Sequence, residues 1–329
     1  MIITENILNE INKSRNVLLH CHPSPDPDSV GSALAFKFAL EQLGKNVTLI
    51  SGDSAIPKEF EFPGVNTIIN KSYGEIDINN FDLFIILDSS SKEMITRKSE
   101  IIFPENLMTI VIDHHKSNTG YGKINIIRPE YPATAELLYD IFKEINIKID
   151  HDIALNIFMG IYTDTGGFRY ENTRLNTFKA VVELVNLAPE YSKTISIMEN
   201  SKRKEALVFE GIAIANIKTY FGGRLAISTV SYDELIKNNI KEEDISTGYI
   251  SSKIKSVKGI DISITIVEEV KDVSKLSFRT RDANKYNVSI LATALGGGGH
   301  IAASGATIKD NTQNVEKIVV QKAKEIYNL

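Results

Sequence analysis

Residues 16–44 read NVLLHCHPSPDPDSVGSALAFKFALEQLG. An apolar run of strand length, Asn16–Cys21, gives way to a Pro/Asp/Ser loop. A helix from about Ser29 to Leu43 follows, and Gly44 closes it as glycine commonly closes helices. Outward from this stretch the pattern repeats. Val47–Ser51, Asp82–Asp88 (DLFIILD) and Met108–Asp113 (MTIVID) are further strand-length apolar runs. Thr134–Ile145 carries Leu137, Leu138, Ile141 and Ile145 at helical spacing, and Asp152–Thr163 (DIALNIFMGIYT) reads as a buried helix. Strands alternating with helices predict an α/β domain, a parallel sheet with helices on both faces.

After residue 185 the pattern changes. Residues 191–205 are polar and read as a linker with helical character, with a basic run at Lys202–Lys204 as its solvated face. Strands are expected near Arg224–Val230, Asp261–Glu268 and Lys275–Thr280, then a glycine run at Gly296–Gly299 and a closing helix from about Asn314 to Tyr327. The expected organisation is therefore a domain over 1–185, a linker over 186–205, and a smaller α/β domain with a mixed sheet over 206–329.

A chain of 329 residues with 43% hydrophobic content suits two such domains. Its one cysteine, Cys21, excludes a disulfide framework and a thiolate zinc cluster, which makes the cytoplasm the expected compartment. No apolar N-terminal core and no long uncharged apolar run are present, so neither a signal peptide nor a membrane partner is expected. A net charge of −5 argues against coating long nucleic acid, yet it leaves room for a pocket that takes a small polyanion.

The acidic and imidazole residues fall at the carboxyl ends of these elements. His22, Asp26 and Asp28 (H-P-S-P-D-P-D) follow the first strand, Asp88 closes the run FIILD, and Asp113, His114 and His115 close TIVID. Asp164 follows the helix NIFMGIYT. Ligands of open parallel sheets gather outside the carboxyl ends of the strands, so these segments are expected to meet on one rim. One Asp at a strand end is ordinarily a cap or turn residue, but the full set is not so easily explained. Crowded carboxylates without cations would repel until some took up protons. Asp26, Asp28, Asp88 and Asp164 together would offset two divalent ions, and oxygen with imidazole donors suits Mn²⁺, Mg²⁺ or Fe²⁺. Two such ions about 3.5–4 Å apart form a clamp for in-line displacement at phosphorus.

These four segments resemble the motifs of the DHH phosphoesterase superfamily, and the second half resembles its DHH-associated domain through Ser277-Phe278-Arg279 and Gly297-Gly298-Gly299-His300 with Ala303-Ser304-Gly305. The likeness covers nearly the whole chain and is nearest to the stand-alone oligoribonuclease/pAp phosphatase (nano-RNase) branch. It implies that His22, Asp26 and Asp88 hold one metal, and that Asp28, Asp88, His114 and Asp164 hold the other, with Asp88 as bridge. His115 would serve the scissile phosphate and Asp113 would orient the histidines. Gly31 and Ser32 would open a helix whose amides favour anions, while Arg279, Gly297, Gly298, Gly299, His300 and Ser304 would hold the substrate's far phosphate. The active site is then expected in a cleft between the domains.

The implied activity is cleavage of short oligoribonucleotides to mononucleotides and dephosphorylation of pAp, by two-metal activation of water. A homodimer is allowed. Two rival readings stand beside it: a cyclic-di-AMP or linear pApA phosphodiesterase, and a non-catalytic nucleotide or RNA sensor. Two departures are visible. The family's arginine a few residues after the strand-end Asp is not at its usual place in Ser89–Arg97, where Lys92 or Arg97 would have to serve, and the glycine motif reads Ala303-Ser304-Gly305 where two alanines before the Gly are commoner. Three further roles are left open, those of His20 beside the metals and of Phe168 and Tyr170 as stacking platforms. Read from its residues alone, the glycine run is expected at a helix N-terminus.

Overall fold

The computed structural model describes residues 2–329, in two compact units that meet in sequence at Ser201/Lys202. The first contains α1 (Ile2–Lys13), β1 (Asn16–His20), α2 (Pro27–Gln42), β2 (Asn46–Ile50), β3 (Leu83–Leu87), β4 (Met108–Asp113) and β5 (Ile124–Ile127). Four more helices complete it: α3 (Thr134–Glu144), α4 (His151–Asp164), α5 (Leu175–Leu187) and α6 (Tyr191–Asn200). The sheet is wholly parallel, in the order β2-β1-β3-β4-β5. After β2 the chain crosses back over β1 to lay down β3, so the strand order reverses between β1 and β3. Such a switch point opens a crevice at the carboxyl ends of the strands.

The expected α/β class holds, with one difference in how the sheet is covered. One face packs Val17, Leu19, Leu83, Ile85 and Ile112 against the helices. The opposite face, with Leu18, Phe84, Ile86 and Val111, is covered by Tyr73, Ile95, Ile101 and Leu107 from loops and short 3₁₀ turns. Burial on both sides explains why β3 reads as an unbroken apolar run. The short strand β5 has no counterpart in the sequence reading, because only one of its four residues is buried.

Helix α2 begins earlier than its apolar run suggests. Asp26 caps it by accepting the Ser29 amide at 2.9 Å, and Pro27 fits the first turn, where a missing N–H costs nothing. Gly31 and Ser32 therefore lie in the second turn and do not open an anion-binding helix end, which corrects that expectation. Gly31 instead permits close approach of α4, since a Cβ there would fall 2.4 Å from the Asn156 carbonyl oxygen.

The second unit contains α7 (Lys204–Ala215), β6 (Ile217–Tyr220), β7 (Leu225–Val230), α8 (Tyr232–Lys237), α9 (Thr247–Lys255) and β8 (Ile262–Val270). It ends with β9 (Val273–Thr280), α10 (Val288–Ala294), β10 (Gly298–His300), β11 (Ala303–Ile308) and α11 (Thr312–Tyr327). Its six-stranded sheet, ordered β10-β11-β9-β8-β7-β6, is mixed: β7 and β8 pair in parallel and the other pairs are antiparallel. Val288, Leu291, Val315 and Val319 cover one face, and Phe209, Leu235, Ile250 and Ile254 cover the other. The basic run at Lys202–Lys204 belongs to this unit, where Lys202 pairs with Glu210 at 3.3 Å and Arg203 with Glu243 at 2.6 Å. Among the described residues no helix is long and apolar enough to cross a membrane.

Candidate active site

The four sequence segments converge at the carboxyl rim of the parallel sheet. His22 leaves β1, Asp26 and Asp28 flank the start of α2, Asp88 follows β3, Asp113–His115 end β4, and Asp164 is the last residue of α4. They form three overlapping groups whose ligand atoms lie within 4.8 Å of one another: His22/Asp26/Asp88, Asp28/His114/Asp164 and Asp88/His114/His115.

Asp88 joins the groups through its two oxygens. Oδ2 lies 3.6 Å from His22 Nε2, while Oδ1 lies 3.5 Å from His114 Nε2 and accepts the Thr134 hydroxyl at 3.0 Å. Its backbone takes φ +49°, a left-handed conformation that costs a non-glycine residue about 1–2 kcal/mol. Such strain persists only where the surroundings enforce it, and it gathers at functional sites.

Asp28 is held as firmly. It takes the place of a cap for α3, accepting the Thr134 amide at 2.8 Å and the Ala135 amide at 2.9 Å. Those amides are helix N-terminal donors with no intrahelical partner, so they fix the carboxylate and favour its charge. Gly160 of α4 leaves the room it needs, since a Cβ there would lie 2.7 Å from Asp28 Oδ1.

The two adjacent imidazoles are used differently. His114 Nδ1 faces the Tyr131 carbonyl at 3.3 Å, which fixes the tautomer with the lone pair on Nε2. That Nε2 is buried without a hydrogen-bond partner, 3.4 Å from Asp164 Oδ2 and 3.9 Å from Asp28 Oδ2. An orphaned imidazole nitrogen aimed among carboxylate oxygens is what a divalent cation requires, so the donor set fits a metal. His115 instead binds Asp113 Oδ1 through Nδ1 at 2.8 Å, leaving Nε2 as its nitrogen for a ligand. Its side chain is 34% exposed, against 14% for His114.

The electrostatics describe a site built for cations. Burial and the neighbouring Asp28 and Asp26 push Asp164 up to about 9. Burial, then repulsion from Asp28, Asp26, Asp164 and Asp113, raises Asp88 well above the usual carboxylate range. Burial raises Asp28 too, against the pull of His114. Burial works the same way on Asp113, but the His115 and Asn118 hydrogen bonds outweigh it and hold its carboxyl low. His115 is raised: burial disfavours its charge, and the bond to Asp113 more than compensates.

Other expected residues lie outside this cluster. His20 is buried, its Nδ1 3.0 Å from the Cys21 carbonyl and its ring edge-on to Phe84; burial pushes it down to about 3, so it is a neutral core residue. Lys92 Nζ is bonded to the Ile101 carbonyl at 3.3 Å, and Arg97 is held through its amide by Asp53. Phe168 packs against Phe158 and Phe178, whereas Tyr170 is exposed and covers Gly166.

In the second unit the glycine run does not stand at a helix N-terminus, which corrects that reading. Gly296, at φ +79°, ends α10, and Gly298–His300 form the outer strand of a hairpin with β11. His300 pairs with Ala303, and Ala303 with Arg279, so His300 and Arg279 share one face of the sheet. Arg279 Nη1 donates to Ser277 Oγ at 3.2 Å and to the Phe278 carbonyl at 2.9 Å. Ser304 lies on the opposite face and donates its hydroxyl to the His300 carbonyl at 2.7 Å.

Comparison with known proteins agrees with this geometry. The family model described as the DHH family, N-terminal domain, matches residues 16–161, and the DHHA1 domain matches residues 222–328. The chain belongs to the DHH family. It is a hydrolase acting on phosphoester bonds. It is similar to the bifunctional oligoribonuclease and PAP phosphatase NrnA of Thermus thermophilus, 25% identical over 94% of this chain and 90% of the relative. The protein of the same name from Bacillus subtilis is also 25% identical, over 89% of each chain. The cyclic-di-AMP phosphodiesterase PdeA of Listeria monocytogenes is 24% identical over 94% of this chain, which spans 47% of that protein. The fold is shared with the crystal structure of an exopolyphosphatase-related protein from Bacteroides fragilis, at a TM-score of 0.90, 24% identity, and coverage of 99% of this chain and 97% of that one.

Four residues that support the site were not found from sequence. Thr134, Gly160, Asn118 and the Tyr131 carbonyl act through backbone approach or single hydrogen bonds. Such roles leave no spacing pattern to read.

Proposed function

We propose that this enzyme cleaves short oligoribonucleotides to mononucleotides and dephosphorylates pAp. The observation that carries the reading is Asp88, whose two oxygens each belong to a different acid–imidazole group. The relatives named NrnA, similar over nearly all of the chain, supply the substrate class.

In this reading His22, Asp26 and Asp88 hold one divalent ion, and Asp28, Asp88, His114 and Asp164 hold a second, Mn²⁺ before Mg²⁺ or Fe²⁺. When bound, the ions supply the activated water and part of the positive charge at phosphorus. The chain's own residues do the rest. His115, oriented by Asp113, offers Nε2 to the phosphoryl oxygens where charge builds in the transition state. Arg279 and His300 hold the substrate's other phosphate, and the glycines at 297–299 admit it closely. Action in the cytoplasm, as a monomer or homodimer, completes the proposal.

Similarity to PdeA supports a second reading, hydrolysis of cyclic-di-AMP or linear pApA. A panel of pAp, RNA of two to five nucleotides, linear pApA and cyclic-di-AMP, each with Mn²⁺, tests both. Turnover fastest on short RNA and pAp is expected. Preference for the cyclic dinucleotide would transfer the function to the second reading, and no turnover on any would leave a sensor.

A further inference from the structure

Asp88 and His115 belong to different strand ends, and each needs a fixed orientation. Asp88 needs it because its left-handed backbone is intrinsically disfavoured. His115 needs it because only one ring nitrogen remains for a ligand once Nδ1 is bonded to Asp113. One side chain reaches both strand ends. Asn118 is buried and donates through Nδ2 to Asp113 Oδ2 at 2.7 Å and to the Ser89 carbonyl at 3.1 Å. Its Oδ1 accepts the Gly120 amide at 2.9 Å, and its own amide donates to the His115 carbonyl at 3.1 Å. Both of its side-chain N–H donors, its Oδ1 and its backbone N–H are thus engaged within the protein.

The Ser89 carbonyl also accepts the Tyr121 hydroxyl at 2.8 Å. Burial raises that phenol, which keeps it a donor. The Asp88 amide donates to the Ile112 carbonyl at 3.1 Å. The Ser89–Ser90 peptide, one link beyond the strained residue, is therefore clamped by two donors from the segment that follows β4. Asp113 divides its carboxylate between the two tasks, one oxygen for His115 and the other for Asn118.

We infer that Asn118 is a positioning residue that sets the Asp88 backbone and the His115 imidazole as one unit, with Tyr121 as the second clamp on Ser89. The inference rests on the proposed role of His115 at the phosphate. Asn118→Ala removes both bonds and leaves Asp113 Oδ2 buried without that donor. Asn118→Asp keeps the size but sets an acceptor against Asp113 and the Ser89 carbonyl, so it should be at least as damaging.

The test uses the Mn²⁺-loaded full chain with pApA, supported by ring-nitrogen NMR of the metal-free protein. Asn118→Ala should lower kcat about 10- to 100-fold, the usual cost of losing a residue that orients a ligand, while metal content stays at the wild-type level. The same change in a His115→Ala background should cost less than it does in wild type, because only the Ser89 arm is then left to lose. Losses that multiply, or a lowered Tm with unchanged kcat, would overturn the inference.

In the metal-free protein the His115 ring signals should shift in Asn118→Ala, and unchanged signals would count against the role. If His115→Ala keeps full activity, the proposed chemistry fails, and the NMR result still decides whether Asn118 orients the ring. Should Asn118→Ala not fold, Tyr121→Phe removes only the second donor to Ser89. A smaller loss of kcat with unshifted His115 signals is then expected, and unchanged kcat would remove the Ser89 arm.

Discussion

The carboxyl rim of the first sheet and the glycine hairpin of the second place opposite demands on the chain. At the rim, Asp28, Asp88 and Asp113 are buried, and most of the fixed polar groups around them are occupied in holding them still. At the hairpin all three residues of β10 are exposed and nothing crowds Gly298. The rim concentrates like charges where burial magnifies their repulsion, an arrangement that becomes stable once a cation enters. In the proposed reading the hairpin would work through omission, by leaving side chains off the surface that the substrate approaches. Changes at the rim should therefore act on turnover and metal, and changes at the hairpin on binding.

The largest effect is expected at Asp88. Asp88→Ala removes an oxygen from two of the three acid–imidazole groups, so turnover of pAp and short RNA should fall below detection, and metal analysis should show a lowered content. The same change relieves the repulsion among the buried carboxylates but leaves a Cβ in the left-handed conformation, so the two opposed effects should keep the metal-free protein's Tm close to wild type. Saturating Mn²⁺, which at 100 times its Kd stabilises a binding protein by about 2.7 kcal/mol, should raise the Tm of wild type but hardly that of the variant. Wild-type turnover in Asp88→Ala would dissolve the contrast between the two regions.

His115 comes next. His115→Ala should keep its metal and its KM, yet lose roughly 10²–10³ in kcat, as when one donor to a developing charge is deleted. His114→Ala should lose metal instead, because its Nε2 is the buried nitrogen among the carboxylates. Metal loss in His115→Ala with retention in His114→Ala would exchange the two roles.

What was legible in the sequence follows the same division. The rim could be read because its signal is residue type at strand ends: β1, β3 and β4 are built on apolar runs (Val17–Leu19, Leu83–Leu87, Ile110–Ile112), with Asp or His at or just past each carboxyl end. The hairpin is not legible in the same way, because glycine marks a turn, a helix end or an open strand equally well. Strands β6 and β10 offer no apolar alternation, having a pair of exposed residues in one and glycines in the other. The apolar run places the start of α2 two residues late, because Asp26 and Pro27 suit a loop as well as a helix cap. Asn118 and Thr134 are ordinary polar residues whose importance exists only in the fold.

On the hairpin side, Arg279→Ala should raise KM for substrates that carry a second phosphate. A hydrogen bond to a charged group is worth about 1.5–3 kcal/mol, which corresponds to roughly 10- to 100-fold in affinity. The kcat should change little, and a minimal phosphodiester without that second phosphate should be indifferent. Equal sensitivity of both substrates would move Arg279 from binding to architecture, as its bonds to Ser277 and the Phe278 carbonyl permit.

The smallest effects come from two neighbouring glycines that carry different meanings. A Cβ at Gly297 would fall 2.1 Å from the Gly305 carbonyl oxygen and 2.6 Å from the Ala306 Cα, so Gly297→Ala must displace backbone and should lower Tm. A Cβ at Gly298 meets nothing within 4 Å, and its backbone is not left-handed, so Gly298→Ala should leave Tm unchanged. Gly298 pairs with Gly305 on the face that carries Arg279 and His300, where an added methyl would meet only a ligand. Gly298→Ala should therefore raise KM a few-fold for the substrates that Arg279 recognises, with kcat and Tm both at their wild-type values. A variant with unchanged KM would show that the ligand does not approach this part of the strand, and the glycine at 298 would then have no binding role.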